Sequence, residues 1–269
     1  MNIASNLEKL FSLDGKNIMI TGAAGGIGNV LSTGLASAGA HMILCDINAD
    51  ALVSTKQEIL DLGGKADYYL CDVSNTDNIK SSVAKILKDL GHIDVLVNCA
   101  GINKREGFLD VEESTYDRIM DINLKGTFFL SQEVAKHMYE RRTGNIINVA
   151  SHNIAAVLGG VSVYAATKSA VKALTQSMAV EWAKYGIRAN AIAPGHIITP
   201  LTTVTWEHPQ RSRYLKERIA MERPGLPEEL VGVTVMLASD SSAYISGSMI
   251  HVDGGCLAGG TPWEFDTKY

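Results

Sequence analysis

Three side chains could together move a proton. Tyr164 and Lys168 lie four residues apart in Tyr164-Ala165-Ala166-Thr167-Lys168, which places them on one face of a helix. Ser151 stands just after the apolar run 146–149, where a strand would deliver its hydroxyl to the C-terminal edge of a sheet. A tyrosine hydroxyl, with an ordinary pKa near ~10, is a poor base at neutral pH. A neighbouring ammonium favours the phenolate. Lowering that pKa by about three units takes roughly 4 kcal/mol of differential interaction, within reach of close charges in a partly desolvated site. Tyr164 then acts as acid and base, and Ser151 hydrogen-bonds an oxygen on which charge develops. A tyrosine and a lysine at this spacing are common on surfaces; a strand-end serine upstream makes the pattern uncommon.

A second group of residues would hold an anion. The run Asn17–Thr21 leads directly into Gly22-Ala23-Ala24-Gly25-Gly26-Ile27-Gly28, and a helical pattern follows. Glycines let the backbone turn tightly and approach phosphates, while free N–H groups and the helix dipole point at them. A turn that follows the first strand and opens the first helix is the setting a dinucleotide requires. The next apolar run ends at Cys45-Asp46-Ile47. A carboxylate there accepts hydrogen bonds from ribose hydroxyls and repels a 2′-phosphate. Asp46 at this position therefore predicts NAD over NADP.

These groups need elements to position them. Apolar runs at 17–21, 41–45, 66–71, 93–97, 145–149, 188–193 and 248–252 predict strands, several covered on both faces. Helical patterns at 26–38, 49–62, 76–90, 112–140 and 163–185 lie between them. This alternation predicts a doubly wound α/β fold with a mostly parallel seven-stranded sheet, in a single domain over residues 1–269. One stretch, 196–225, is mixed and polar with Pro200, Pro209 and Pro224, and reads as a substrate loop or lid. Pro227-Glu228-Glu229 then starts a further helix. Residues 256–269 form a tail.

The spacing Gly22, Gly26, Gly28, read as TGxxxGxG, resembles the short-chain dehydrogenase/reductase family. The resemblance runs from Gly15 to about Gly255. Asp72-Val73 matches the family's contact near adenine, and Asn98-Cys99-Ala100-Gly101 its NNAG motif, with Cys99 departing from the second Asn. Pro194-Gly195 with Ile197 and Thr199, and Asp253-Gly254-Gly255, fit as well. It implies a Rossmann-type sheet and a cofactor held by Gly22, Gly25, Gly26, Ile27, Gly28, Asp46, Ile47, Asp72, Val73, Asn98, Ala100, Gly101, Pro194, Gly195, Ile197 and Thr199, with Tyr164 and Lys168. It also adds Asn123, from Asp121-Ile122-Asn123, to Ser151, Tyr164 and Lys168 as the catalytic set. Lys168 would hold the nicotinamide ribose, and Asn123 would support a water that relays protons. No metal is needed by this chemistry. The family usually forms homotetramers through the helices at 112–140 and 163–185.

Beyond the motifs stand donors suited to a carboxylate and hydroxyls: Lys104, Arg105, His152 and Asn153, with Arg211, Arg213, Lys216, Arg218 and Arg223 in the lid. The stretches 101–106 and 219–225 resemble a branch of the family that interconverts hydroxy and keto sugar acids. The expected activity is NAD-dependent interconversion of a secondary alcohol and a ketone on a sugar acid or polyol. A 3-oxoacyl-carrier-protein reductase, with nearly identical motifs, is the alternative enzyme. A nucleotide sensor without turnover is the alternative of another class.

Composition excludes other classes. With 24 Lys+Arg against 29 Asp+Glu over 269 residues, the chain carries a net charge of −5 and would be repelled by nucleic acid. Hydrophobic residues at 46% and charged residues at 20% argue against long disorder. No apolar run reaches the ~18 residues of a membrane span. The start carries Glu8 and Asp14 rather than a secretory pattern. Cys45, Cys71, Cys99 and Cys256 show no CxxC or His-paired spacing, so they read as inert thiols of a cytoplasmic protein.

Overall fold

A computed structural model describes residues 3–200 and 202–260. Seven strands, β1 (Asn17–Thr21), β2 (His41–Asp46), β3 (Lys65–Leu70), β4 (Val95–Asn98), β5 (Gly144–Val149), β6 (Ile187–Pro194) and β7 (Met249–Val252), form one sheet in the order β3-β2-β1-β4-β5-β6-β7. All six pairings are parallel. β1 and β4 are buried at every residue, as central strands covered on both faces must be. The outermost β3 instead places Lys65, Tyr68 and Leu70 in solvent. The strand order reverses between β1 and β4, which makes their C-terminal ends the natural ligand crevice.

Helices cover both faces. α2 (Gly26–Ser37), α3 (Ala49–Asp61) and α10 (Val231–Ala238) bury Leu31, Leu35, Leu52, Ile59 and Leu237 in one core layer. α4 (Thr76–Leu90), α6 (Thr127–Arg141) and α7 (Ser162–Trp182) bury Ile79, Val83, Leu130, Val134 and Met178 in the other. Side chains set some boundaries: Asn48 accepts from the Ala51 N–H at the start of α3, and Asn75 from those of Asp77 and Asn78 at the start of α4.

Three features differ from the sequence expectation. A helix, α1 (Ile3–Phe11), precedes β1 and packs near the 3-10 turn Asp240–Ser242, so the glycine turn opens the second helix rather than the first. The helix expected over 112–140 is broken into α5 (Glu113–Met120), a π turn (Asp121–Gly126) and α6. A Cβ on Gly126 would stand 2.7 Å from the Val73 carbonyl oxygen, so a glycine is needed where this turn meets the loop after β3. The stretch 196–225 carries two short helices, α8 (Thr203–Trp206) and α9 (Pro209–Lys216), closed at its base by an isolated bridge between Ile197 and Gly225. Most of the expected tail, residues 261–269, lies outside the described residues.

Candidate active site

The site is assembled from strand ends. After β1 the chain turns at Gly22, whose φ of +69° suits glycine. A Cβ there would stand 2.9 Å from Ala100 Cα, so the glycine turn and the loop after β4 touch backbone to backbone. The Thr21 hydroxyl accepts from the N–H groups of Cys99 (3.3 Å) and Ala100 (3.2 Å), tying the same two loops. Helix α2 starts behind Gly25 with no side-chain cap, which leaves its leading N–H groups to meet an anion. A Cβ on Gly25 would meet nothing within 4 Å, whereas one on Gly28 would stand 2.0 Å from the Gly22 carbonyl oxygen. Gly25 thus borders open space while Gly28 locks the turn onto its helix. A dinucleotide pyrophosphate fits this cradle. Ile27 lies in the first turn of α2, and Thr199 packs 3.4 Å from where a Gly26 Cβ would be.

Asp46, at the end of β2, is pinned on both oxygens. One accepts from the Ala24 N–H (3.2 Å), the other from those of Ile47 (2.7 Å) and Asn48 (3.1 Å). Ile47 is exposed beside it. Asp72 accepts from the backbone (2.9 Å) and hydroxyl (2.7 Å) of Ser74, and Val73 packs on Gly126. Asn98 points inward: its amide donates to Ser131 Oγ (2.9 Å) and Asn148 Oδ1 (2.8 Å), so its side chain joins β4 to β5 within the protein. The Pro194-Gly195 end of β6 abuts Asp253, whose Cα would lie 2.6 Å from a Gly195 Cβ.

Around this crevice the four expected acid–base residues converge. Asn123 sits in the π turn, fully buried; its amide donates to the Ile102 carbonyl (2.9 Å) and its oxygen accepts from the Ile102 N–H (2.8 Å). The extra residue of a π turn re-aims a side chain that a continuous α-helix would point elsewhere. A Cβ on Gly101 would be 3.3 Å from Asn123 Oδ1 and 3.5 Å from Lys168 Nζ, so that glycine lets the loop lie over both. Lys168 is buried on α7 and donates to the Val149 carbonyl (2.7 Å); its Nζ lies 5.7 Å from the Tyr164 ring centre. Ser151 hydrogen-bonds Tyr164 and accepts from the backbone (3.2 Å) and amide (3.1 Å) of Asn153.

Burial dominates the electrostatics. It pushes the Tyr164 hydroxyl above its usual pKa, against a hydrogen bond with Ser151 that pulls it down. It pushes Lys168 down to about 8. Contrary to the expectation from sequence, the polypeptide by itself does not lower Tyr164 through Lys168; it makes either charge costly when alone. Linkage gives a testable sign. Because Lys168 titrates lower folded than unfolded, its ammonium costs stability fully below about pH 8, and the cost vanishes as pH approaches the unfolded value of 10.5. Relative to Lys168→Met, the wild type should gain roughly 3 kcal/mol between pH 7 and 10.5, read by denaturant unfolding of both proteins across that range. A pH-independent difference would mean that Lys168 is not held down by burial.

The substrate-side expectations fare unevenly. Lys104 pairs with Glu106 and donates to Thr115 Oγ1 (3.1 Å), so its charge is spent locally. Within 196–229, Arg213 pairs with Glu217 (2.7 Å), Arg223 with Glu229 (2.7 Å), and Arg218 lies over Tyr214 (3.5 Å). Arg211 and Lys216 are exposed. Arg105, also exposed, is close enough to His196 for its charge to add to the burial and His152 effects that push His196 down to about 4. His152 is buried, its ring edge-on to His196 with centroids 4.3 Å apart, and His196 in turn faces Trp206 at 6.3 Å. Neither His196 nor Trp206 stood out in the sequence. The available signal was positional, since His152, His196 and Cys256 each follow the end of one of three adjacent strands.

Comparison with known proteins agrees with this fold. The family described as Enoyl-(Acyl carrier protein) reductase matches residues 22–256. The chain is 39% identical over 251 residues to 5-keto-D-gluconate 5-reductase of Escherichia coli K12, covering 93% of this chain and 99% of that one. It is 41% identical over 248 residues to a 3-oxoacyl-[acyl-carrier-protein] reductase of Thermotoga maritima, covering 91% and 99%. Among solved structures, a gluconate 5-dehydrogenase from Burkholderia cenocepacia in complex with NADP and tartrate superposes with a TM-score of 0.91 at 36% identity, covering 94% and 99%. A parallel sheet whose order turns back at a glycine-lined crevice, matched along nearly its whole length, places this chain in the short-chain dehydrogenase/reductase family.

Proposed function

We propose that the chain is a nicotinamide-dependent dehydrogenase that interconverts a secondary alcohol and a ketone on a sugar acid or polyol, with NAD preferred. The observation that carries the reading is the convergence of buried Ser151 and Lys168 with half-buried Tyr164, which shares the Lys168 face of α7, and with Asn123 alongside. A bound nicotinamide supplies the hydride acceptor and, when oxidised, a positive charge. Tyr164 takes the proton from the substrate hydroxyl, and Ser151 holds the oxygen as its bond order changes. Lys168, protonated, orients the ribose and offsets the phenolate in a setting where burial leaves charges weakly screened. Asn123, fixed on both backbone groups of Ile102, supports the water through which the proton leaves.

NAD preference rests on Asp46. Its carboxylate is fixed by three N–H groups at the end of β2, where a 2′-phosphate would meet negative charge. The Burkholderia relative was solved with NADP, so the point is decided by measurement. The wild type should show the higher kcat/KM with NAD. Asp46→Ser combined with Ile47→Arg should shift the NAD-to-NADP ratio of kcat/KM by about tenfold or more toward NADP, since the swap removes repulsion and adds a phosphate partner. A wild type that prefers NADP would overturn the assignment.

The sugar-acid reading draws on the Escherichia coli and Burkholderia relatives, whose names concern gluconate and its keto form. The Thermotoga relative, at comparable identity, supports 3-oxoacyl-carrier-protein reduction as a second reading. The two separate in one experiment: cofactor reduction at alkaline pH with aldonates, deoxy sugar acids, uronates and polyols, against NADH or NADPH oxidation with an acetoacetyl thioester. Turnover with a sugar acid alone supports the first reading, and turnover with the thioester alone replaces it. We further propose a homotetramer built on α5, α6 and α7, where Phe128 and Val180 are exposed on single-chain faces, and a cytoplasmic setting consistent with four free thiols. Among the described residues, no helix is long and apolar enough to cross a membrane.

A further inference from the structure

We infer that His152, His196 and Cys256 form a binding site for one zinc-type divalent cation. The three follow the ends of β5, β6 and β7, adjacent strands, and their donor atoms lie within 4.8 Å of one another. A tetrahedral zinc, with nitrogen ligands at about 2.0–2.1 Å and sulfur at about 2.3 Å, sets its donors roughly 3.5 Å apart. Side-chain movement of about 1 Å closes the set.

A second observation points to a ligand. His152 is only 3% exposed, yet its Nδ1 has no hydrogen-bond partner. Buried polar atoms are rarely left so, because an unpaired one forfeits its hydration without return. A metal ion bound through that nitrogen would satisfy it. Ligation by the Cys256 thiolate releases its proton to solvent.

The surrounding chain is built to hold the cysteine. Gly254 and Gly255 both adopt positive φ, which turns the chain back after β7. Asp253 accepts from the N–H groups of Gly255 (3.0 Å) and Leu257 (3.0 Å) and so braces the turn that carries Cys256. Arg218 is near enough to favour the thiolate, whereas the exposed Arg105 beside His196 is the charge a cation must displace or tolerate. Two nitrogens and a thiolate select zinc or cobalt over magnesium and calcium. Three protein ligands leave the fourth position to water. Because His152 directly follows Ser151, the ion would border the substrate end of the crevice. The assignment stands on these residues alone and does not depend on which substrate the enzyme uses.

The test uses untagged full-length protein, freed of metal by chelator and titrated with cobalt(II) alone. One cobalt per chain should bind, with a thiolate-to-cobalt absorption band that zinc abolishes on displacement. Cys256→Ser should lose the band completely, and His196→Gln should weaken cobalt binding by about tenfold or more. Cys99→Ser should retain both band and affinity, and circular dichroism confirms that each variant is folded. These variants avoid the deeply buried His152, whose replacement could unfold the loop. A wild type without the band, or a Cys256→Ser protein that keeps it, would overturn the site.

Discussion

Tyr164→Phe should lower kcat by about a thousandfold, within the range that a positioned acid–base group supplies, while leaving NADH affinity within about twofold of wild type. Phenylalanine keeps the ring that α7 presents to the crevice and removes only the hydroxyl. The partner it abandons, Ser151, still accepts from the backbone and amide of Asn153, so no buried oxygen is stranded. A loss of kcat without loss of cofactor binding therefore reads as proton transfer and not as collapse of the site. Steady-state kinetics at saturating substrate, with NADH bound by fluorescence titration, separate the two. Retention of more than about a tenth of wild-type kcat would remove Tyr164 from the acid–base role.

The second large effect concerns the glycine turn. A methyl on Gly28 would sit 2.0 Å from the Gly22 carbonyl oxygen and 2.8 Å from its carbon. Both are backbone atoms, so no side chain can swing away and the turn itself must open. Gly28→Ala should cost about 3 kcal/mol of stability, as overpacking of a tight site does, and weaken NADH binding about a hundredfold or more. Gly25→Ala supplies the contrast. Its φ of −132° is open to alanine and its Cβ would meet nothing within 4 Å, so the variant should melt close to wild type. The same methyl nevertheless enters the space beside the α2 N-terminus, and NADH affinity should fall about tenfold, roughly 1.4 kcal/mol. Thermal melts and NADH titrations of the two variants check the contrast. Equal behaviour in both assays would mean that the turn carries no such strain.

Much of the fold was legible in the sequence because central parallel strands have no solvent face and so read as continuous apolar runs. β1 appears at its full extent, and β7 needs only the loss of Ser248. Shifts of a residue or two at β3 and β4 occur where apolar composition continues past the ladder. The π turn was not legible. The pattern over 112–140 keeps helical period throughout, and the break depends on Gly126 meeting the Val73 carbonyl and on Asn123 bonding Ile102, contacts with chain segments remote in sequence. α1 was also missed, since a short amphipathic stretch ahead of the first strand gives little signal without the surface it packs on. The pairing of Tyr164 with Lys168 was visible because spacing on one helix is local information, whereas Asn123 entered only through the family resemblance. The His152, His196 and Cys256 cluster was hard to read for the opposite reason: each member follows a different strand, and only that position after adjacent strands signals it. The pairing of Arg213 with Glu217 and of Arg223 with Glu229 was not legible either, because charge in a sequence does not reveal which acidic partner it will meet.

The strand order also governs when the enzyme can come into being. β1, β2 and β3 leave the ribosome first and form one flank of the sheet, carrying the glycine turn and Asp46; β4 must then cross to the other side of β1, and β5, β6 and β7 add outward one at a time. Until each next strand emerges, the newest one presents an unpaired edge to the cell, a template for mispairing. Gly195 leans on Asp253, so the crevice gains its far wall only when β7, the last strand among the described residues, has docked. Synthesis interrupted late would thus yield a nucleotide-binding flank without a finished catalytic edge. Slow codons or chaperone capture between β4 and β7 should influence the yield of active enzyme more than the same delay before β1.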